Sequence, residues 1–114
     1  MEKYEILEHK ADLKIRAFGK NKKELFLNTM LAMIDSTKYE IRRPEERIQR
    51  EVQINSLDLS ALLVDFLSEV LYLSQVNKEV YFEAEFNKFT DTEIEGELIG
   101  QKVERFGEDI KAVT

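Results

Sequence analysis

Near the start of the chain, apolar and polar positions alternate with a period of two over two short stretches, 3–8 and 12–18. In the second, Leu13, Ile15 and Ala17 alternate with Lys14 and Arg16. Successive side chains on a strand point to opposite faces, so the pattern predicts two strands joined through His9-Lys10-Ala11 and ended by Gly19. From residue 22 the spacing changes to three and four. Leu25, Phe26, Met30, Met33 and Ile34 fall on one stripe of a helix over 22–35. Asn21 fits its N-cap, and Glu24 stands where a capping-box partner belongs.

Residues 36–47 are polar, contain the only proline, Pro44, and read as a loop. Ile48, Val52 and Ile54 then share one face of a strand at about 48–54, with Gln49 and Glu51 on the other. The clearest signal follows. Leu59, Leu62, Leu63, Phe66, Leu67, Val70 and Leu71 repeat at helical spacing, predicting a helix from 58 or 59 to about 75, capped by Ser56 or Asp58. Val80, Phe82, Ala84 and Phe86 alternate with Tyr81, Glu83 and Glu85, and Ile94 and Leu98 alternate with Glu93, Glu95 and Glu97. A turn around Asn87 to Asp91 makes these a hairpin. A last short strand is expected at 110–113. Each element has one apolar face, and these faces are satisfied only against one another. The expected fold is α+β: a two-layer domain with a mainly antiparallel sheet packed against two amphipathic helices.

The length of 114 residues bounds the chain to a single domain, and 43% hydrophobic with 35% charged residues is a folding composition. Cysteine is absent, which removes disulfides, thiolate metal sites and cysteine nucleophiles. That suits a reducing compartment, and a cytoplasmic location is expected. No uninterrupted apolar run approaches the roughly 20 residues of a membrane helix, and Met1 to Lys10 does not read as a signal peptide. No membrane partner is expected.

Charge is unevenly placed within the net −6. Residues 1–57 hold 12 Lys+Arg against 10 Asp+Glu, and residues 58–114 hold 5 against 13. The second half, at −8 by those counts, opposes direct binding to a nucleic-acid backbone and suits a basic protein or a cation.

Four groups of residues invite chemistry. His9 and Asp12 flank the first strand connection. Asp12 offers a hard oxygen to Ca²⁺, Mg²⁺ or Mn²⁺, or else stabilises an Asx turn. On the hairpin, Phe86 opposite Ile94 would set Glu85 against Glu95 and Glu83 against Glu97, a destabilising arrangement unless screened or met by a basic partner. Asp65 and Glu69 share the polar side of the second helix, as a carboxylate pair or a solvated face. Arg42, Arg43, Arg47 and Arg50 are interrupted by Glu45 and Glu46 and read as a solvated segment. With one histidine, no G-x-S-x-G elbow and no phosphate-loop motif, enzymatic readings are poor.

The run Tyr4-Glu5-Ile6-Leu7-Glu8-His9-Lys10-Ala11-Asp12-Leu13-Lys14-Ile15-Arg16-Ala17-Phe18-Gly19 resembles the opening of the archease family, His-Thr-Ala-Asp followed by a run ending Arg-Ala-Tyr-Gly. Glu24-Leu25-Phe26, Leu31-Ala32-Met33, the stretch from Asp58 to Leu73, Gly100, and Ile110-Lys111-Ala112-Val113-Thr114 resemble later family segments in the same order. The resemblance implies a strand-helix-strand-strand fold. It also implies a non-enzymatic activator of an RtcB-type RNA ligase, which joins tRNA halves using GTP and a divalent metal. It makes Asp12 a metal ligand and places His9 and Lys111 on the site surface.

Lys10 stands where the family usually has Thr, and Lys14 stands where it often has Gly. Family members usually continue beyond the position of Thr114 into a strand carrying a second acidic ligand. The expectation is therefore one domain over 1–114, lacking that C-terminal strand, with a weak cation site at Asp12. The alternative is a metal-independent interaction module that forms a homo-oligomer by pairing sheet edges.

Overall fold

The computed structural model describes residues 4–7, 14–17, 19–41 and 47–107. Strands β1 (Tyr4–Leu7) and β2 (Lys14–Ala17) pair antiparallel, from Tyr4 opposite Ala17 to Leu7 opposite Lys14. Both lie against helix α1 (Lys22–Ser36). There follow β3 (Arg47–Asn55), α2 (Leu59–Asn77), β4 (Glu79–Phe89) and β5 (Glu93–Lys102). The last three strands form an antiparallel sheet in the order β3-β5-β4. The β3-α2-β4-β5 unit is thus strand-helix-strand-strand, and α2 carries the chain from one sheet edge to the other. The α+β expectation holds.

Both helices begin as their sequences require. The Asn21 side chain accepts from the Glu24 backbone N–H at 2.9 Å. At α2 the cap is Asp58, which accepts from Ala61 N–H at 2.8 Å. Ser56 is not the cap; its hydroxyl donates to Asp65 at 2.6 Å. Each cap satisfies one donor of a first turn that has no intrahelical partner.

The core lies between the helices and the inner face of the sheet. Phe26, Met30, Met33 and Ile34 enter it from α1, and Leu62, Phe66, Leu67, Val70 and Leu71 from α2. They meet Val52, Ile54, Ile94 and Leu98 from the sheet. The Phe26 ring lies 5.7 Å from Phe66 and 5.0 Å from Phe89, and Phe86 lies 6.0 Å from Phe66. By length and composition α2 qualifies as a membrane-crossing helix, but its largest apolar side chains fill this core.

The hairpin departs from simple alternation. β4 has two register shifts against β5, between Tyr81 and Glu83 and between Phe86 and Lys88. Each lies beside a glycine of β5. A Cβ on Gly100 would sit 1.8 Å from the Val80 carbonyl oxygen, and one on Gly96 would sit 2.2 Å from that of Glu85. β4 approaches β5 closely only because those two side chains are absent, and the bulges accommodate the bend.

The first shift corrects the expected faces: Tyr81 is fully buried opposite Gly100, and Phe82 is exposed. The register is corrected too. Phe86 faces Gly96 rather than Ile94, Glu85 faces Glu97, and Glu83 faces Ile99. The strand runs on to Phe89, so the turn spans 90–92. The segment after α1 forms a bridge, with Glu40 opposite Arg105 and an ion pair of 2.8 Å between their side chains. The strand expected at 110–113 lies outside the described residues.

Candidate functional site

His9, Asp12 and Lys111 all lie outside the described residues, as do Arg42 and Arg43. The structure describes the paired strands on either side of the first connection. The β1–β2 ladder closes at Leu7 opposite Lys14, and residues 8–13 join them. The strand-connection-strand arrangement expected around His9 and Asp12 is therefore present in its flanks.

The most organised polar cluster in the described residues was not singled out from the sequence. Glu79 opens β4 directly after Lys78, the left-handed residue that ends α2, and it is fully buried. Arg50 reaches it from β3 on the far side of β5. Arg50 Nε donates to Glu79 Oε1 at 2.9 Å and Nη2 donates to Oε2 at 2.7 Å, a fork-to-fork pairing. The buried Tyr81 hydroxyl donates to Oε1 at 2.8 Å. The Glu79 backbone carbonyl accepts from the buried Ser74 hydroxyl, which ties the cluster to α2.

Burial alone would raise the Glu79 carboxyl. The bonds from Arg50 and Tyr81 outweigh it and hold the group below its ordinary range. Burial, followed by the bond to Glu79, pushes the Tyr81 phenol far up. The cluster is therefore an ionised carboxylate beside a neutral phenol and a guanidinium, a tie across the sheet with no group poised for proton transfer. One signal was available: parity along β3 puts Arg50 on the face of Ile48, Val52 and Ile54.

The outer face of the sheet carries the acidic residues. Glu51, Glu97 and Glu85 stand in one row across three strands. Their neighbours include the pair of Lys88 with Glu93 at 2.6 Å and the looser Arg47–Glu83 contact at 3.8 Å. One carboxylate oxygen of Asp65 accepts the Ser56 hydroxyl at 2.6 Å. Among the described residues, no three His, Asp or Glu side chains are grouped to hold a metal ion.

The family model described as the archease protein family (MTH1598/TM1083) matches residues 4–114. Protein archease of Methanosarcina mazei is 38% identical, covering 98% of this chain and 82% of its own length. Protein archease of Methanosarcina barkeri is 36% identical, covering 97% and 81%. That of Pyrococcus abyssi is 30% identical, covering 100% and 84%. The solution structure of Methanobacterium thermoautotrophicum protein 1598 superposes with a TM-score of 0.64 at 20% identity, covering 100% of this chain and 81% of that one. That last likeness is one of fold.

Proposed function

Since the chain belongs to the archease family, we propose that it is an accessory activator of an RtcB-type RNA ligase, promoting the ligase's guanylylation and turnover in tRNA splicing. The observation that carries this reading is the family match over 4–114. Membership supports an accessory role in RNA processing rather than catalysis. The acidic balance of residues 58–114, 13 Asp+Glu against 5 Lys+Arg, favours a protein partner over direct contact with RNA. The lack of cysteine supports a cytoplasmic setting.

Asp12 is the proposed ligand of a divalent cation, Ca²⁺, Mg²⁺ or Mn²⁺, with His9 and Lys111 on the surface of that site. A carboxylate is a hard oxygen donor that suits these ions. Lys14, two residues on from Asp12, adds bulk and positive charge beside it, so binding is proposed to be weak. When bound, the ion would supply positive charge for nucleotide phosphates.

The test is guanylylation of the ligase with and without this protein, and with Asp12→Ala. Stimulation by the parent protein and its loss in the variant are expected. No stimulation by the parent protein would refute the reading. Calorimetry with Mn²⁺ separates the metal-independent alternative. Heat that vanishes in Asp12→Ala supports the cation site, and its absence favours an interaction module.

A further inference from the structure

α2 holds more apolar surface than the core uses. It is long and apolar enough to cross a membrane, yet only 33% of that apolar window is buried. β1 and β2 pack on α1 and, among the described residues, do not reach α2. Along the solvent side of α2, at spacings of three and four, follow Ala61, Asp65, Ser68, Tyr72 and Val76. Tyr72 is 59% exposed and Val76 is 61% exposed, and at one turn's separation they adjoin. Leu57 lies at the other end, directly before the cap Asp58. An apolar residue there often folds back onto the first turn. Leu57 does not, and is 94% exposed.

Between these apolar ends the charge has one sign. Asp65 and Glu69 are the charged residues of α2, which holds no Lys or Arg. Among the described residues neither forms an ion pair with a cation. Asp65 gives one oxygen to the Ser56 hydroxyl. The row 61-65-69 and the row 68-72-76 are ridges of the i, i+4 kind, and the groove between them takes a ridge of a second helix. The small side chains of Ala61 and Ser68 let its backbone approach. A second copy of α2 would bring carboxylates against carboxylates, which repel. The complementary helix carries Lys or Arg opposite Asp65 and Glu69 and apolar side chains opposite Tyr72 and Val76.

We infer that the solvent side of α2 is a docking surface for a basic amphipathic helix of a partner protein. The inference rests on α2 alone and goes beyond the ligase reading, whose failure would leave it standing.

The probe is a fluorescein-labelled peptide of Leu and Lys, with Leu at spacings of three and four, titrated with the full chain by fluorescence anisotropy. The control peptide has the same composition in scrambled order and no apolar stripe. The patterned peptide is expected to bind about tenfold or more tightly than the control. Tyr72→Ser with Val76→Ser should weaken its binding about tenfold or more. Asp65→Asn with Glu69→Gln should weaken it at low salt, and that difference should fade in high salt. None of the four residues is buried, so both variants should keep the parent's circular dichroism. Equal binding of the two peptides, or unchanged affinity in either folded variant, would overturn the inference. So would a parent dimer that dissociates in Tyr72→Ser with Val76→Ser, because the occupant would then be a second copy.

Discussion

With Arg50 removed, Glu79 would be a fully buried carboxylate with only the Tyr81 hydroxyl as a side-chain partner. In the intact protein its carboxyl is held below the ordinary value of 4.5. A depressed folded-state value means its stabilisation is fully present above pH 4.5 and is lost as pH falls through the lowered value. Without the guanidinium, burial dominates and the sign reverses. Arg50→Ala should therefore be most destabilising near neutral pH, and the deficit should shrink as the solution is acidified toward 4.5. Urea melts at several pH values check this; a deficit that grows on acidification would contradict it. Tyr81→Phe is milder, at about 1 kcal/mol, because Glu79 keeps its guanidinium. On the outer face, Glu97→Gln should stabilise by a few tenths of a kcal/mol by relieving the row with Glu51 and Glu85. The gain should fade in high salt.

Gly100 and α2 show what single elements owe to their sequences. Gly100→Ala would press a methyl against the Val80 carbonyl at the first bulge, and a loss of about 3 kcal/mol is expected from a thermal melt. Phe66→Ala should cost about 3–5 kcal/mol, since the ring is fully buried against Phe26 and Phe86. Asp58→Ala should cost about 1 kcal/mol by leaving Ala61 N–H without its cap. α2 was legible because its apolar stripe, Leu59 to Leu71, repeats at spacings of three and four over about three turns. β4 was legible as a strand but not in its facing. Alternation cannot be followed across a bulge, so Tyr81 and Phe82 exchanged roles. The signal for the bulges lies in the neighbouring strand, at Gly96 and Gly100, and depends on a pairing that one sequence does not supply. Arg50 read as part of a solvated basic run because its partner Glu79 is 29 residues away across the sheet.

At the scale of the whole molecule, the sheet divides two environments. Its inner face and the helices enclose the aromatic core. Its outer face bears the carboxylates of Glu51, Glu97 and Glu85 in one row. The fold class followed from one-sided elements that must pack together, and the family followed from motifs spread along the whole chain. The proposed cation site was legible only through the resemblance, since His9, Asp12 and Lys111 share no spacing that chemistry alone would select. An accessory protein should leave the chemistry to its partner and change how often that partner completes it. The most direct measurement is joining of RNA halves by a limiting amount of an RtcB-type ligase, counted as products per ligase molecule. With this protein present the count should rise well above one, and without it remain near one. An unchanged count across a range of added protein would contradict the account.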